Sequence, residues 1–371
     1  MNKWTYTTLG KISEIITGPF GSQLHQSDYV EQGIPVVMPQ AIDSRKVNYA
    51  SINYVSNEDA IRLERYKTII NDILYARRGD VEKHAFIKEK DNGVLCGTGC
   101  LRVRITTSEV EPEFISFFLN REETRKWLVT HAVGTNMPNL NTDILSDVPI
   151  AYPLLEEQRK IVQVLNSLDE KIALNSAVND NLEQQMHLIF ENMMTKASTH
   201  KLSGEYTIAQ NLATAVTGKE DANFSVPNGK YKFFTCSNTP LLCEEYVFDS
   251  SSILIAGNGD FNVKHYSGKF NAYQRTYVLT PDKKYFGLLY LASLYRINSF
   301  KSRSSGSIVK FITKSDVENI PVFIPNDMFY LQELNKLIYL QEQNKLENEL
   351  LVNLRDWLLP MLMNGQATIS D

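Results

Sequence analysis

A chain of 371 residues with 43% apolar content is too long for one hydrophobic core and reads as two or more globular domains. No apolar run approaches the roughly 20 residues needed to cross a bilayer, and Met1-Asn2-Lys3-Trp4-Thr5 lacks the apolar core of a signal peptide, so a cytoplasmic protein is expected. Cys96, Cys100, Cys236 and Cys243 fit neither a disulfide framework nor a zinc site, and no metal is expected.

In chain order, residues 8–18 (TLGKISEIITG) read as a short amphipathic helix closed by a left-handed Gly18, and residues 207–218 (TIAQNLATAVTG) repeat it. A strand-like run follows in each copy, Ile34 to Met38 and Gly229 to Phe234. Next come Ile73-Leu74-Tyr75-Ala76-Arg77-Arg78-Gly79-Asp80 and Ile253-Leu254-Ile255-Ala256-Gly257-Asn258-Gly259-Asp260, each a buried strand running into a glycine turn. Strand patterns at Cys100 to Ile105 and Arg275 to Leu279 precede helical patterns at Pro112 to Thr130 and Tyr285 to Asn298. Gly134 to Ile150 then aligns without a gap on Gly306 to Val322. The offset between copies falls from 200 at Gly18/Gly218 to 180 at Gly79/Gly259 and 172 at Gly134/Gly306. Length changes therefore sit early in each copy, as expected of a fixed frame carrying variable loops.

Each copy ends in a heptad helix. The first carries Ile161, Leu165, Leu168, Ile172, Leu182, Met186, Ile189 and Met193 in its seam, with polar Asn175 and Asn179 at the centre. The second carries Leu337, Leu340, Leu351, Leu354, Leu358 and Met361, with Asn344 and Glu347 in the polar centre. Paired antiparallel, Asn175 and Asn179 face Asn344 and Glu347 and fix register, and replacing Asn175 and Asn344 together with Leu is expected to raise stability. The boundaries that follow are 1–153, 154–197, 198–325 and 326–371. The fold class is α+β: two tandem mixed α/β domains, each followed by a long helix, the helices pairing as an antiparallel coiled coil with internal pseudo-twofold symmetry.

The net charge of −5 is unevenly spread: the two helical segments carry −7 between them and the globular segments +2. A phosphate-binding face needs local rather than total positive charge, so charge neither requires nor excludes DNA.

The ordered set of motifs resembles the DNA-specificity subunit of type I restriction-modification enzymes. The matching residues are Leu9 to Gly18, Ile73 to Asp80, Asn139-Leu140-Asn141 leading to Val148-Pro149-Ile150-Ala151-Tyr152-Pro153, and Leu155-Glu156-Glu157-Gln158-Arg159-Lys160-Ile161. The second copy departs at Met328-Phe329-Tyr330-Leu331-Gln332-Glu333, where the helix opens differently. The resemblance implies a non-catalytic subunit whose two target-recognition domains each read half of a split duplex target. It also implies two methyltransferase (modification) subunits docked on the helices, restriction and translocase subunits further out, and no cofactor on this chain, with S-adenosylmethionine and ATP held by partners. A helix of about 40 residues rises roughly 60 Å, enough to address duplex segments about 34–36 Å apart.

Candidate DNA contacts in the first domain are Ser22, Gln23 and His25 in the loop after Gly18, and Arg77, Arg78, Lys83 and His84 around the Gly79 turn. Arginine and lysine suit phosphate or guanine, and glutamine suits adenine. In the second domain they are Asn258, Lys264 and His265, with Lys301, Arg303 and Ser305 in the small, basic loop Lys301 to Ser307. An enzyme acting alone is disfavoured, because the chain lacks the Asn/Asp-Pro-Pro-Tyr/Phe segment of an adenine methyltransferase and a phosphate-binding Gly-x4-Gly-Lys-Ser/Thr loop. A coiled-coil scaffold with two protein-binding modules is the alternative.

Overall fold

The computed structural model describes residues 4–134, 138–259, 261–303 and 311–369, with backbone alone at 300–303. The chain divides into two compact units, Met1–Lys171 with Leu351–Asp371, and Ile172–Leu350. Each unit holds one α/β domain and a length of two long helices, Leu155–Ser198 and Met328–Met363.

In the first unit the frame is an antiparallel sheet ordered Ser13–Thr17, Cys100–Ile105, Ile73–Ala76, His84–Phe86. A second sheet joins Leu95–Cys96, Ile34–Val37, Asn53–Val55 and Tyr29–Val30. Thr5–Thr8 pairs with Pro149–Tyr152, so the start of the domain is stitched to the strand that leads into the central helix. Ile73, Tyr75, Leu101 and Val103 pack on Phe114, Phe117 and Phe118 of the helix Pro112–Leu119 to make the core.

The second unit repeats the frame as Ala215–Thr217, Thr276–Leu279, Phe248–Ala256 and Val263–Ala272. Here Tyr231–Phe234 and Leu241–Cys243 extend the same sheet, where the first unit builds a separate one. Gly204–Ile208 pairs with Pro321–Pro325 just as Thr5–Thr8 pairs with Pro149–Tyr152. The early divergence in offset is thus the difference between these inserted strands, and the shared frame is what keeps register.

Several expectations are corrected. Residues 8–18 form one helical turn, Leu9–Ile12, and then the strand Ser13–Thr17. Residues 207–218 likewise give a short turn, Ala209–Asn211, and the strand Ala215–Thr217. Ile15, Ile16 and Thr17 are β-branched and find a complete ladder on Cys100–Ile105, which overrides a weak helical period. Gly18 and Gly218 serve close approach rather than left-handed closure: an added Cβ would lie 2.2 Å from the Gly97 carbonyl oxygen and 1.9 Å from that of Ala272. The helical pattern 112–130 is also two helices, Pro112–Leu119 and Glu122–His131.

The two long helices run antiparallel in each unit. In the first, Ile161 and Leu165 pack with Leu359, Leu362 and Met363, and Arg355 pairs with Asp169 at 3.0 Å. In the second, Leu182, Met186, Phe190 and Met193 pack with Leu331, Leu334, Leu337 and Ile338. The seam expected on the C-terminal helix needs correction at Leu340 and Leu354, which are exposed, whereas Ile338 and Gln341 are buried. This helix turns toward its own α/β domain as well as the other helix, so its buried stripe is wider than an a/d seam.

Candidate nucleic-acid interface

At one end of each frame sheet, loops from four parts of the domain converge. In the first unit the Gly18 amide donates to the Cys100 carbonyl (2.9 Å), the Arg77 amide to Gly99 (2.7 Å), the Gly79 amide to Pro138 (3.2 Å), and the Leu140 amide to Arg77 (2.8 Å). The second unit repeats three of these contacts with its own residues. The Gly218 amide donates to Thr276 (3.2 Å), Gly257 to Arg275 (2.8 Å), and Ile312 to Gly257 (2.8 Å). Gly79 and Gly259 hold φ of +76° and +69°, which glycine adopts without strain.

The sequence candidates fall into three groups. Ser22, Gln23, His25, Arg78 and Lys83 are exposed, and Arg77 and Asn258 partly so. The guanidinium of Arg77 lies 5.9 Å from the ring centre of Phe20, which is 58% exposed, and its Nε donates to the Leu140 carbonyl. The loop after Gly18 and the Gly79 turn are therefore neighbours. Gln23 is partly engaged, its Oε1 accepting from the Tyr66 hydroxyl at 2.7 Å, and Lys83 pairs with Asp80 at 2.8 Å.

His84 and His265 are corrections. His84 is buried, stacked on Tyr75, and its Nε2 sits 3.0 Å from Ser116; burial, reinforced by the nearby Arg45 guanidinium, pushes its pKa down to about 3. The His265 side chain is 2% exposed, with Nδ1 2.9 Å from Glu342 and Nε2 3.0 Å from Gln341 on the C-terminal helix. Both sit in frame-sheet strands and turn inward, His84 toward the helix Pro112–Leu119 and His265 toward the C-terminal helix. Lys264 is also committed: burial lowers its pKa to about 8, and its ammonium donates to the carbonyls of Thr235 (3.0 Å) and Ser237. It positions that loop. Lys301 and Arg303 belong to the last turn of the helix Phe286–Arg303 and not to a loop. Ser305 lies outside the described residues.

Sequence reasoning missed Lys219, Gln274 and Arg275, exposed at the convergent end of the second unit, and Arg45 in the first. Only long-range hydrogen bonds place the first three there. Arg45 and Ser44, at φ of +64° and +45°, form the tip of the hairpin Ile42–Asp43/Lys46–Val47. From it the buried guanidinium reaches Asp169 on the central helix (3.2 Å), Glu113 (3.5 Å) and the Ser116 hydroxyl (3.0 Å), over the Phe117 ring at 3.4 Å.

The polar seam residues meet in the second unit. Asn175 donates to Glu347 (2.7 Å) and to Asn348 (2.9 Å), and Asn344 donates to Asn179 (2.9 Å). Asn348, unnoticed in the sequence, also donates to the Ile172 carbonyl. Asn175 and Asn344 occupy different rungs, so the paired replacement expected to stabilise would leave the side-chain amide oxygen of the buried Asn179 without its donor. Asn344→Leu alone should therefore lower stability by about 1–3 kcal/mol, and Asn179→Leu with it should recover most of the loss. A thermal-melt double-mutant cycle checks this; additive losses would refute the pairing.

Among the described residues no cluster of His, Cys, Asp and Glu is arranged to hold a metal ion, and no helix is long and apolar enough to cross a membrane.

The fold and these loops define a duplicated α+β protein in which each unit gathers its loops at one end of its frame sheet. The chain belongs to the type I restriction modification DNA specificity domain family, whose model matches residues 1–184 and 213–352. It is 36% identical over 159 residues to the type I restriction enzyme EcoDI specificity subunit of Escherichia coli, a match spanning 41% of this chain and 36% of that protein. The putative type I restriction enzyme MjaX specificity subunit of Methanocaldococcus jannaschii is 24% identical over 360 residues, covering 87% of this chain and 83% of its own. The crystal structure of a type I restriction-modification system S subunit from M. genitalium superposes with a TM-score of 0.65 at 17% identity, over 100% of this chain and 97% of that one. This likeness extends to the fold.

Proposed function

We propose that the chain is the DNA-reading subunit of a type I restriction-modification complex, each α/β domain reading one half of a bipartite duplex target. The long helices set the unread spacer and dock two methyltransferase subunits, with two restriction/translocase subunits in a complex that cleaves. The chain itself carries no catalysis: methyl transfer from S-adenosylmethionine and ATP-driven work belong to the partners, in the cytoplasm. The observation that carries this reading is the repeated convergence of loops, with exposed arginine or lysine, at the same end of both frame sheets. Arg78, beside the partly exposed Arg77, supplies it in the first unit, Lys219 and Arg275 in the second. The acidic helices fit surfaces that meet protein, since phosphate would be repelled there.

The test is duplex binding by the chain together with its modification subunits across a salt series. Affinity should fall steeply as salt rises, and Arg78→Ala should reduce the log–log slope by about one unit. Salt-independent binding, or none, would favour the scaffold reading.

A further inference from the structure

The hydrogen bond between the turn that ends the buried strand and the residue before the neighbouring strand exists in both copies, but its two side chains are exchanged. In the first unit Arg77 donates its amide to Gly99 at 2.7 Å; in the second Gly257 donates to Arg275 at 2.8 Å. One guanidinium therefore leaves the same bonded pair of backbones in each unit, from opposite partners. The turn position is glycine for room in the second unit, where a Cβ on Gly257 would meet the Arg275 carbonyl oxygen at 2.6 Å, whereas in the first unit the glycine of the pair is Gly99, at φ of +84°.

We propose that Arg275 is a specificity-determining residue of the second recognition domain, donating both arms of its guanidinium to O6 and N7 of a guanine in the major groove of its half-site. Arg77 is its positional equivalent in the first domain. This rests on the reading that the second unit grips duplex DNA. Arg275 is exposed, and among the described residues no acid pairs with its guanidinium. Its backbone is fixed by the Gly257 bond and by the neighbouring bonds from Gln274 to the Glu220 carbonyl (2.9 Å) and from Thr276 to the Tyr273 carbonyl (2.8 Å). It borders a cleft of about 390 Å³ with Gln274, Thr313 and the 56% exposed Phe311. A planar, five-donor fork held on pinned backbone beside an open aromatic face suits a base edge. The flexible Lys219 ammonium, also exposed, suits phosphate.

Arg275→Lys separates the two kinds of contact, since lysine keeps the charge but not the bidentate fork. The complex of this chain with its modification subunits is used to select duplexes from a randomised pool. Wild type should return a split motif with a guanine in the second half. With Arg275→Lys that position should become degenerate, its discrimination falling roughly 5- to 150-fold, while the first half, total affinity within about threefold and the melting temperature are kept. Arg275→Ala should lose the same guanine. An intact second half in both variants, a half-site without guanine, or a uniform loss of affinity across all sequences would overturn the assignment and leave the DNA-reading function standing. A wild-type complex that selects no split motif would overturn that function and this assignment with it.

Discussion

Arg45→Ala is expected to destabilise the first unit by up to roughly 3 kcal/mol, the cost of leaving partly buried carboxylates without this cation. The guanidinium is buried among Glu113, Asp169, Ser116 and the Phe117 ring. Burial lowers its pKa to about 10 against the pull of the two carboxylates, so it remains charged at neutral pH. Lys88 and Arg355 also reach those carboxylates and limit the loss. At about 2–4 °C per kcal/mol for a unit of this size, the melting transition should fall by several degrees. Arg45→Lys should recover only part, because a point charge cannot serve both acids and stack on the ring. Hydrogen exchange should rise in the Ile42–Val47 hairpin and around Asp169. A melting temperature within a degree of wild type would show that the hairpin is held by other means. Arg45 costs the backbone some strain, sitting with Ser44 in the left-handed region. The tight two-residue hairpin and the ion cluster together keep it there, and they tie the first α/β domain to the central helix.

Acidification supplies the second large effect, through His84. Its folded pKa of about 3 lies below the ordinary histidine value of about 6.5. Between those values the unfolded chain binds the proton more readily than the folded one. The stability present above about pH 6.5 is therefore lost as pH falls toward 3, with a slope of up to about 1.4 kcal/mol per pH unit. Carboxylates held below their usual range, Asp59 and Glu122 among them, lose stability in the same direction. Comparison with His84→Gln isolates the histidine: denaturant stability measured from pH 7 to pH 4 should fall more steeply for wild type. Parallel curves would mean that His84 takes up its proton without opening the core.

The large features were legible because they are written in local spacing. Heptads at Ile161 to Met193, the repeated block at Gly134 and Gly306, and the strand-turn pairs ending at Gly79 and Gly259 all declare themselves within a few turns of chain. What was misread depends on partners distant in sequence. Ser13–Thr17 is a strand because Cys100–Ile105 lies beside it, and Gly18 is glycine because Gly97 passes close by. His84 and His265 looked like loop cations beside glycine turns, yet strand alternation points them at Ser116 and Glu342. Leu340 and Leu354 matched a heptad period that the C-terminal helix, packed on its own domain as well as on a helix, does not obey. Arg45 and Arg275 carry no local signal; the one is recognisable only from Asp169 and Glu113, the other only from the bond to Gly257.

The rungs Asn175–Glu347 and Asn179–Asn344 link the two helices within the second unit, while Arg45 and His265 join an α/β domain to a helix.

The most direct test is the methylome of a host expressing this chain with its modification subunits. A split motif carrying methyl-adenine in each half, on opposite strands and across a fixed unread spacer, is the predicted result. A continuous motif, or no sequence-specific methylation in a strain that makes the complex, would contradict it.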